Sequence, residues 1–333
     1  MRRQELGRTT LVLSLGALIF AFCSSADAQQ PKFSRIGYLS AVGDPENRGP
    51  IYSAFRSGLE ELGYNEGKNL FVEYRTASGH LDRAPALAAE LVKLKVDVIV
   101  VGYLAGIRAA KQATASIPIV MVSQEDPTKI GLIDNLAHPG GNITGVATFG
   151  RDLSGKRLEL IKEAFSSKLK VGVLFDASAP GPPIAFREYE AVARELKIPL
   201  LSAEVRGPKP DFENAFRVAV LSRVNALIVI RNPVVARNLK LIVDLAIKNR
   251  LPSMAEGNEY VEAGFLMSYA ANMSDQYKRA AYFVNKILQG SKPAELPVEQ
   301  PKKLEFIINL KTAKQIGLTI PPNVLARADR VIK

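Results

Sequence analysis

Eight polar residues stand where apolar runs of the chain end: Ser40, Tyr103, Ser123, Asp126, Asp176, Asn232, Glu256 and Tyr269. They supply hydroxyl, phenol, carboxylate and amide groups, the chemistry of holding a small solute by hydrogen bonds. Groupings that make or break bonds are missing from the sequence. The two histidines, His80 and His138, have no sequence-near metal partner, and no His-Glu-x-x-His pattern occurs. His138 precedes Pro139-Gly140-Gly141, which is turn chemistry. There is no G-x-S-x-G turn for a nucleophilic serine and no G-x-G-x-x-G fingerprint. The stretch from Gly150 to Lys156 fits a phosphate-binding loop, but Arg157 stands where a Ser or Thr would hold Mg²⁺. That stretch reads as a helix start with Ser154 as its cap. Several tips also have plain structural readings. Asp126 and Asn232 each precede a proline and suit helix caps, Asp176 suits a turn, and Tyr269 suits a core.

The elements that carry these tips alternate. Val96 to Pro127 reads as strand, helix, strand, with the β-branched run ending at Val101 and a second run at Ile119 to Val122. Runs without polar alternation suit strands covered on both faces. Before them come strands at Arg35–Leu39 and Asn69–Tyr74, a helix stopped by Gly63 and a helix capped by Asp82. A strand over Asn142–Phe149 follows. The pattern then restarts, with strands at Lys170–Phe175, Leu200–Val205, Ala226–Ile230, near Glu256 and at Gly264–Tyr269. Asp211 caps a helix inside this second series. A late helix ends at Gly290, and Leu304–Leu310 is a lone strand joining a lobe already built. Open α/β sheets bind ligands beyond the carboxyl ends of their strands, where the eight tips sit.

Length and charge narrow the class. A chain of 333 residues suits two lobes rather than one core. Arg2, Arg3 and Arg8, an apolar core over Leu11–Phe22 and the pattern Ala26-Asp27-Ala28 predict a signal peptide over residues 1–28. The address it implies is a bacterial periplasm. The only cysteine, Cys23, lies in that leader after the bulky Phe22, so no lipid anchor is expected. The net charge is +11, and the leader's three Arg and two acids leave +10 once it is removed. The basic residues are mixed with Glu along helices and form no aromatic-basic cluster, which argues against a nucleic-acid partner.

The chain resembles the exported substrate-binding proteins of ABC importers, in the family that includes tryptophan binders. The resemblance rests on RIGYLS at 35–40, LAAELVKLKVDVIV at 87–100, DPTKIGLI at 126–133, HPGGNITGV at 138–146, EAGFLMSYA at 262–270 and LPVEQPKKLEFIINLKTAKQIGLTIPP at 296–322. It implies a type I periplasmic-binding fold, an α/β architecture of two doubly wound parallel-sheet lobes joined by three crossovers. One lobe is expected over 33–148 plus 271–296 and the other over 149–270 plus 297–333. The implied function is capture of a small-molecule ligand, an amino acid or a small aromatic or aliphatic carboxylate. Delivery would be to an inner-membrane ABC permease, by a monomer with no cofactor, no metal and no catalysis. In this reading Ser40, Ser123 and helix N-termini take an anionic group, Asp126 and Glu256 take an ammonium or hydroxyls, and tyrosines cover the apolar body. Two alternatives stand beside it: a sensory module presenting solute to a receptor, which the sequence does not separate from import, and an exported hydrolase with Glu256 as base. The sequence departs from the family at Gly102-Tyr103, Glu125 and Arg231-Asn232. All three lie at strand tips.

Overall fold

A computed structural model describes residues 33–148, 150–165, 168–207 and 209–333. The leader, its cleavage pattern and Cys23 lie outside the described residues, as does Phe149 at the expected end of a strand.

The amino-terminal series forms a five-stranded sheet. Its strands are β1 (Ser34–Ser40), β2 (Leu70–Thr76), β3 (Val98–Val101), β4 (Ile119–Ser123) and β5 (Ile143–Ala147), in the order β2-β1-β3-β4-β5. Every pairing is parallel. Strands β3, β4 and β5 are buried along their whole length, as their unbroken apolar runs require. Helices α1 (Gly49–Glu61), α2 (Ala84–Lys93) and α3 (Leu104–Ala113) cover the two faces. Gly145 lets β5 close on β4: its φ is +136°, and a Cβ there would overlap the Met121 backbone.

The second series forms a seven-stranded sheet from β6 (Val171–Asp176), β7 (Leu200–Val205), β8 (Ala226–Val229), β9 (Ser253–Ala255), β10 (Met267–Ala271), β11 (Leu304–Asn309) and β12 (Arg330–Ile332). The order is β12-β11-β10-β9-β8-β6-β7. Strand β11 runs antiparallel to β10, while the other pairings are parallel. The late strand thus joins a sheet already laid down, and β12, too short to stand out in the sequence, extends it by one more strand.

The remaining helices are α4 (Gly150–Ala164), α5 (Pro182–Leu196), α6 (Phe212–Leu221), α7 (Pro233–Arg237), α8 (Leu239–Lys248), α9 (Asn258–Glu262), α10 (Met273–Leu288), α11 (Leu310–Gln315) and α12 (Pro322–Leu325). Two expected caps fail. Ser154 lies inside α4, which starts four residues earlier. Asp82 sits in a short 3₁₀ turn, and α2 begins after it with no side-chain cap. Asp211 caps α6 by accepting from the Asn214 N–H at 2.8 Å.

The chain passes between sheets after β5, after β10 and again beyond Glu299. Helix α10 follows β10 but packs on the first sheet, where Met273, Tyr277, Ala280 and Val284 join the core around Tyr38 and Phe55. Glu299 still pairs with Val146 at the edge of β5 before the chain returns to the second sheet.

Candidate functional site

The carboxyl ends of both sheets meet around a cavity of about 220 Å³. The first lobe supplies Tyr38 and Ser40 from β1, Tyr52 from α1, Gly102 to Ala105 at the β3–α3 junction, Gln124 and Glu125 after β4, and Tyr277 from α10. The second supplies Ala179 to Pro182, Arg231 to Pro233 and Tyr260. The lobes touch beside it. Arg237 Nη1 donates to the Ser78 carbonyl at 2.8 Å, and Glu125 Oε1 lies where a Cβ on Gly181 would stand.

Five tyrosines, Tyr38, Tyr52, Tyr103, Tyr260 and Tyr277, line the cavity. The Tyr38 ring stacks on Tyr74 at 5.5 Å and 9°, and Tyr52 meets Tyr38 edge-on at 5.1 Å. Arg48 lies over the Tyr52 and Tyr74 rings, donates to the Tyr52 hydroxyl at 2.7 Å and pairs with Glu66 at 2.9 Å. Such ring pairs fix orientation as well as burying area. Gly102 is required where α10 meets β3, because any Cβ there would overlap the Tyr277 hydroxyl. Tyr103 and Tyr260 differ from the others. Their hydroxyls are buried and have no hydrogen-bond partner among the described residues, a state that costs free energy until something supplies one. Burial raises the pKa of both, so they remain neutral donors.

Beside Arg48, two more charged groups line the cavity, Glu125 and Arg231. Glu125 is held by Ser123, whose Oγ donates to the Glu125 carbonyl at 3.0 Å and to Oε2 at 3.3 Å. Burial pushes the Glu125 carboxyl up, and nearby Glu256 adds to the rise, against the pull of its own backbone N–H and Ser123. Arg231 Nε donates to Glu259 Oε1 at 2.9 Å. Burial works against the guanidinium's charge, but Glu259 outweighs it and the pKa is raised.

Of the eight residues singled out in the sequence, Ser40, Tyr103 and Asn232 line the cavity. Ser40 Oγ donates to the Val42 carbonyl at 2.6 Å. Asn232 is occupied as the cap of α7, its Oδ1 accepting from the Val235 N–H at 2.9 Å. The other five lie off the wall. Ser123 is behind Glu125. Asp126 Oδ1 accepts from the Thr128 N–H and hydroxyl at 3.0 and 2.6 Å. Burial raises its pKa, but those bonds and Lys129 outweigh that and lower it. Asp176 closes the turn to Ser178. Glu256 accepts from Arg157 at 2.9 Å, Tyr189 at 2.7 Å and the Arg231 N–H at 3.0 Å. The ring of Tyr269 packs against the core of the second lobe, and its carbonyl accepts from Arg157 Nε at 2.9 Å. Arg157, the residue that spoils the phosphate-loop pattern, is therefore the buried cation of the second lobe's polar core.

Glu125 and Arg231 stand immediately before Asp126 and Asn232; Asp126 turns back to the segment that follows and leaves Glu125 at the wall, whereas Asn232 caps α7 and still lines the cavity beside Arg231.

Comparison with known proteins fits this geometry. The chain is 28% identical to a conserved domain protein of Vibrio cholerae O1 biovar El Tor, covering 90% of this chain and 100% of that one, with a TM-score of 0.81. It is 26% identical to the ABC domain from Streptococcus pneumonia solved in complex with L-Trp, covering 90% and 99% of the two chains, with a TM-score of 0.80. A tyrosine-binding protein of Clostridioides difficile is 25% identical over 266 residues, 79% of this chain and 75% of that one. These likenesses carry the type I periplasmic-binding fold with them. Residues 41–332 match the family described as ABC transporter substrate binding protein, and the chain belongs to that family.

Proposed function

We propose that this protein is the periplasmic solute-binding component of an ABC importer. It takes an amino acid or a small aromatic or aliphatic carboxylate into the seam between its lobes and delivers it to an inner-membrane permease. One observation carries the reading: a tyrosine-walled cavity at the strand ends of both sheets, in which two buried hydroxyls lack partners. Its volume, about 220 Å³, lies below the roughly 300–1,000 Å³ of drug-sized pockets, so the solute is small. The relatives that bind L-Trp and tyrosine support an amino acid or a near analogue.

Capture works by differential affinity. A solute that contacts both lobes stabilises the closed form by the free energy it gains there over the open one. Micromolar binding corresponds to about −8 kcal/mol, within reach of two or three charge-assisted hydrogen bonds and one buried ring. The protein acts as a monomer without cofactor or turnover. Glu256, the best base in the sequence, is engaged by Arg157 and Tyr189 away from the cavity wall.

A thermal-shift screen of amino acids and carboxylates tests the reading. A true solute at a hundred times its Kd adds about 2.7 kcal/mol to stability and raises the melting temperature. A panel spanning these classes with no shift at millimolar concentration would overturn it.

A further inference from the structure

The geometry points to Arg231 as the residue that fixes the solute's chemical class: its guanidinium, with the Tyr260 hydroxyl and the open start of α3, forms a corner that binds a planar carboxylate. This inference rests on the solute-capture reading and goes one step deeper into the same cavity.

Three features converge there. Arg231 follows β8 of the second lobe and lines the cavity. Its Nε is committed to Glu259, but among the described residues no acceptor meets its two terminal nitrogens. A guanidinium fork presents paired donors matched to the two oxygens of a carboxylate. Tyr260 also lines the cavity, is only 1% exposed, and its hydroxyl has no partner. The Asn232 backbone N–H approaches that oxygen without reaching hydrogen-bond geometry. The third feature belongs to the first lobe. Helix α3 has ten residues and no side-chain cap, since the residue before it is Tyr103, and its first residues, Leu104 and Ala105, line the cavity. An uncapped helix start presents backbone N–H groups and the positive end of the dipole.

Arg231 and α3 belong to different lobes and line the same cavity, with Tyr277 on its wall as well, its hydroxyl against Gly102, two residues before α3. A carboxylate in the corner is therefore gripped from both lobes at once, which makes the anion the group that favours closure. Phosphate-sized anions fit less well, because Glu259 already pairs with Arg231 and Glu125 lines the same cavity.

Two sources share this chemistry: an α-amino acid, whose ammonium would meet Glu125, and a simple acid without an amino group. Calorimetric titration separates them using L-tyrosine and 3-(4-hydroxyphenyl)propionate, each beside its primary carboxamide. We expect at least one acid to bind roughly tenfold to a hundredfold tighter than its carboxamide, the range that charge-assisted hydrogen bonds supply. Arg231→Gln should erase that preference, and Arg231→Lys should restore only part of it. The acid–carboxamide comparison on the unaltered protein stands even where a variant folds poorly. Carboxamides that bind as well as the acids would overturn the proposal. So would the absence of saturable binding by either acid. Neutral solutes that raise the melting temperature while the acids do not would remove the carboxylate corner and leave solute capture intact. No response to any solute class would remove both.

Discussion

Arg157 Nη1 donates to Glu256 Oε1 at 2.9 Å in the interior of the second lobe, with side chains only 4% and 13% exposed. The same carboxylate accepts from the Tyr189 hydroxyl and from the Arg231 N–H. One buried charge pair thus ties α4, α5 and the loop after β9 to the strand tip that presents Arg231. Arg157→Met should destabilise the protein by about 3–5 kcal/mol, because it removes the cationic partner of a carboxylate in the interior. Urea unfolding checks it. The double variant Arg157→Met/Glu256→Gln should recover part of the loss, and a double variant as unstable as the single one would contradict this account.

The contact between Gly102 and Tyr277 sets a second prediction. Gly102→Ala puts a methyl group into the Tyr277 hydroxyl. The expected cost is about 1–3 kcal/mol, the range for overpacking a tight site. Tyr277→Phe removes the oxygen and should relieve most of that cost in the double variant, read as the shift in the unfolding midpoint.

Glu125 gives a pH signature. Burial and then the nearby Glu256 raise its pKa in the folded protein above its unfolded value, against its own backbone and Ser123. Between those two pKa values the folded state binds more protons than the unfolded one. Stability from this group is therefore greatest at low pH and falls as pH rises through the folded pKa. The melting temperature of Glu125→Gln minus that of wild type should increase with pH across this window. A difference that stays flat, or falls, would contradict the assignment.

The architecture was legible because buried parallel strands leave unbroken apolar runs, as at Val98–Val101 and Ile119–Ser123. The site was legible only to the level of the strand tip. Asp126 and Glu125 are neighbours with similar polarity, and which of the two faces the cavity depends on the backbone's exit from the strand. That exit is fixed by the Thr128 N–H donating to Asp126, which periodicity does not encode. Glu256 lies off the cavity wall for a related reason. Its partners Arg157 and Tyr189 lie 99 and 67 residues away, beyond any local pattern. Tyr38 and Tyr277 likewise come together only because α10 crosses back to the first sheet.

Arg237 and Ser78 bridge the lobes with a single hydrogen bond at 2.8 Å. If the lobes close on solute, this bond belongs to the closed form. Arg237→Ala should weaken solute binding about fivefold, the equivalent of one ordinary hydrogen bond near 1 kcal/mol. The urea midpoint of the solute-free protein should stay nearly unchanged. Equal affinities in calorimetry would assign the bond no part in closure.

Capture at a seam between two hinged lobes is most directly tested by small-angle X-ray scattering during titration with the solute that gives the largest thermal shift. The account predicts a radius of gyration that falls in step with occupancy and levels off at saturation. A solute that binds to saturation while the radius stays constant would contradict it.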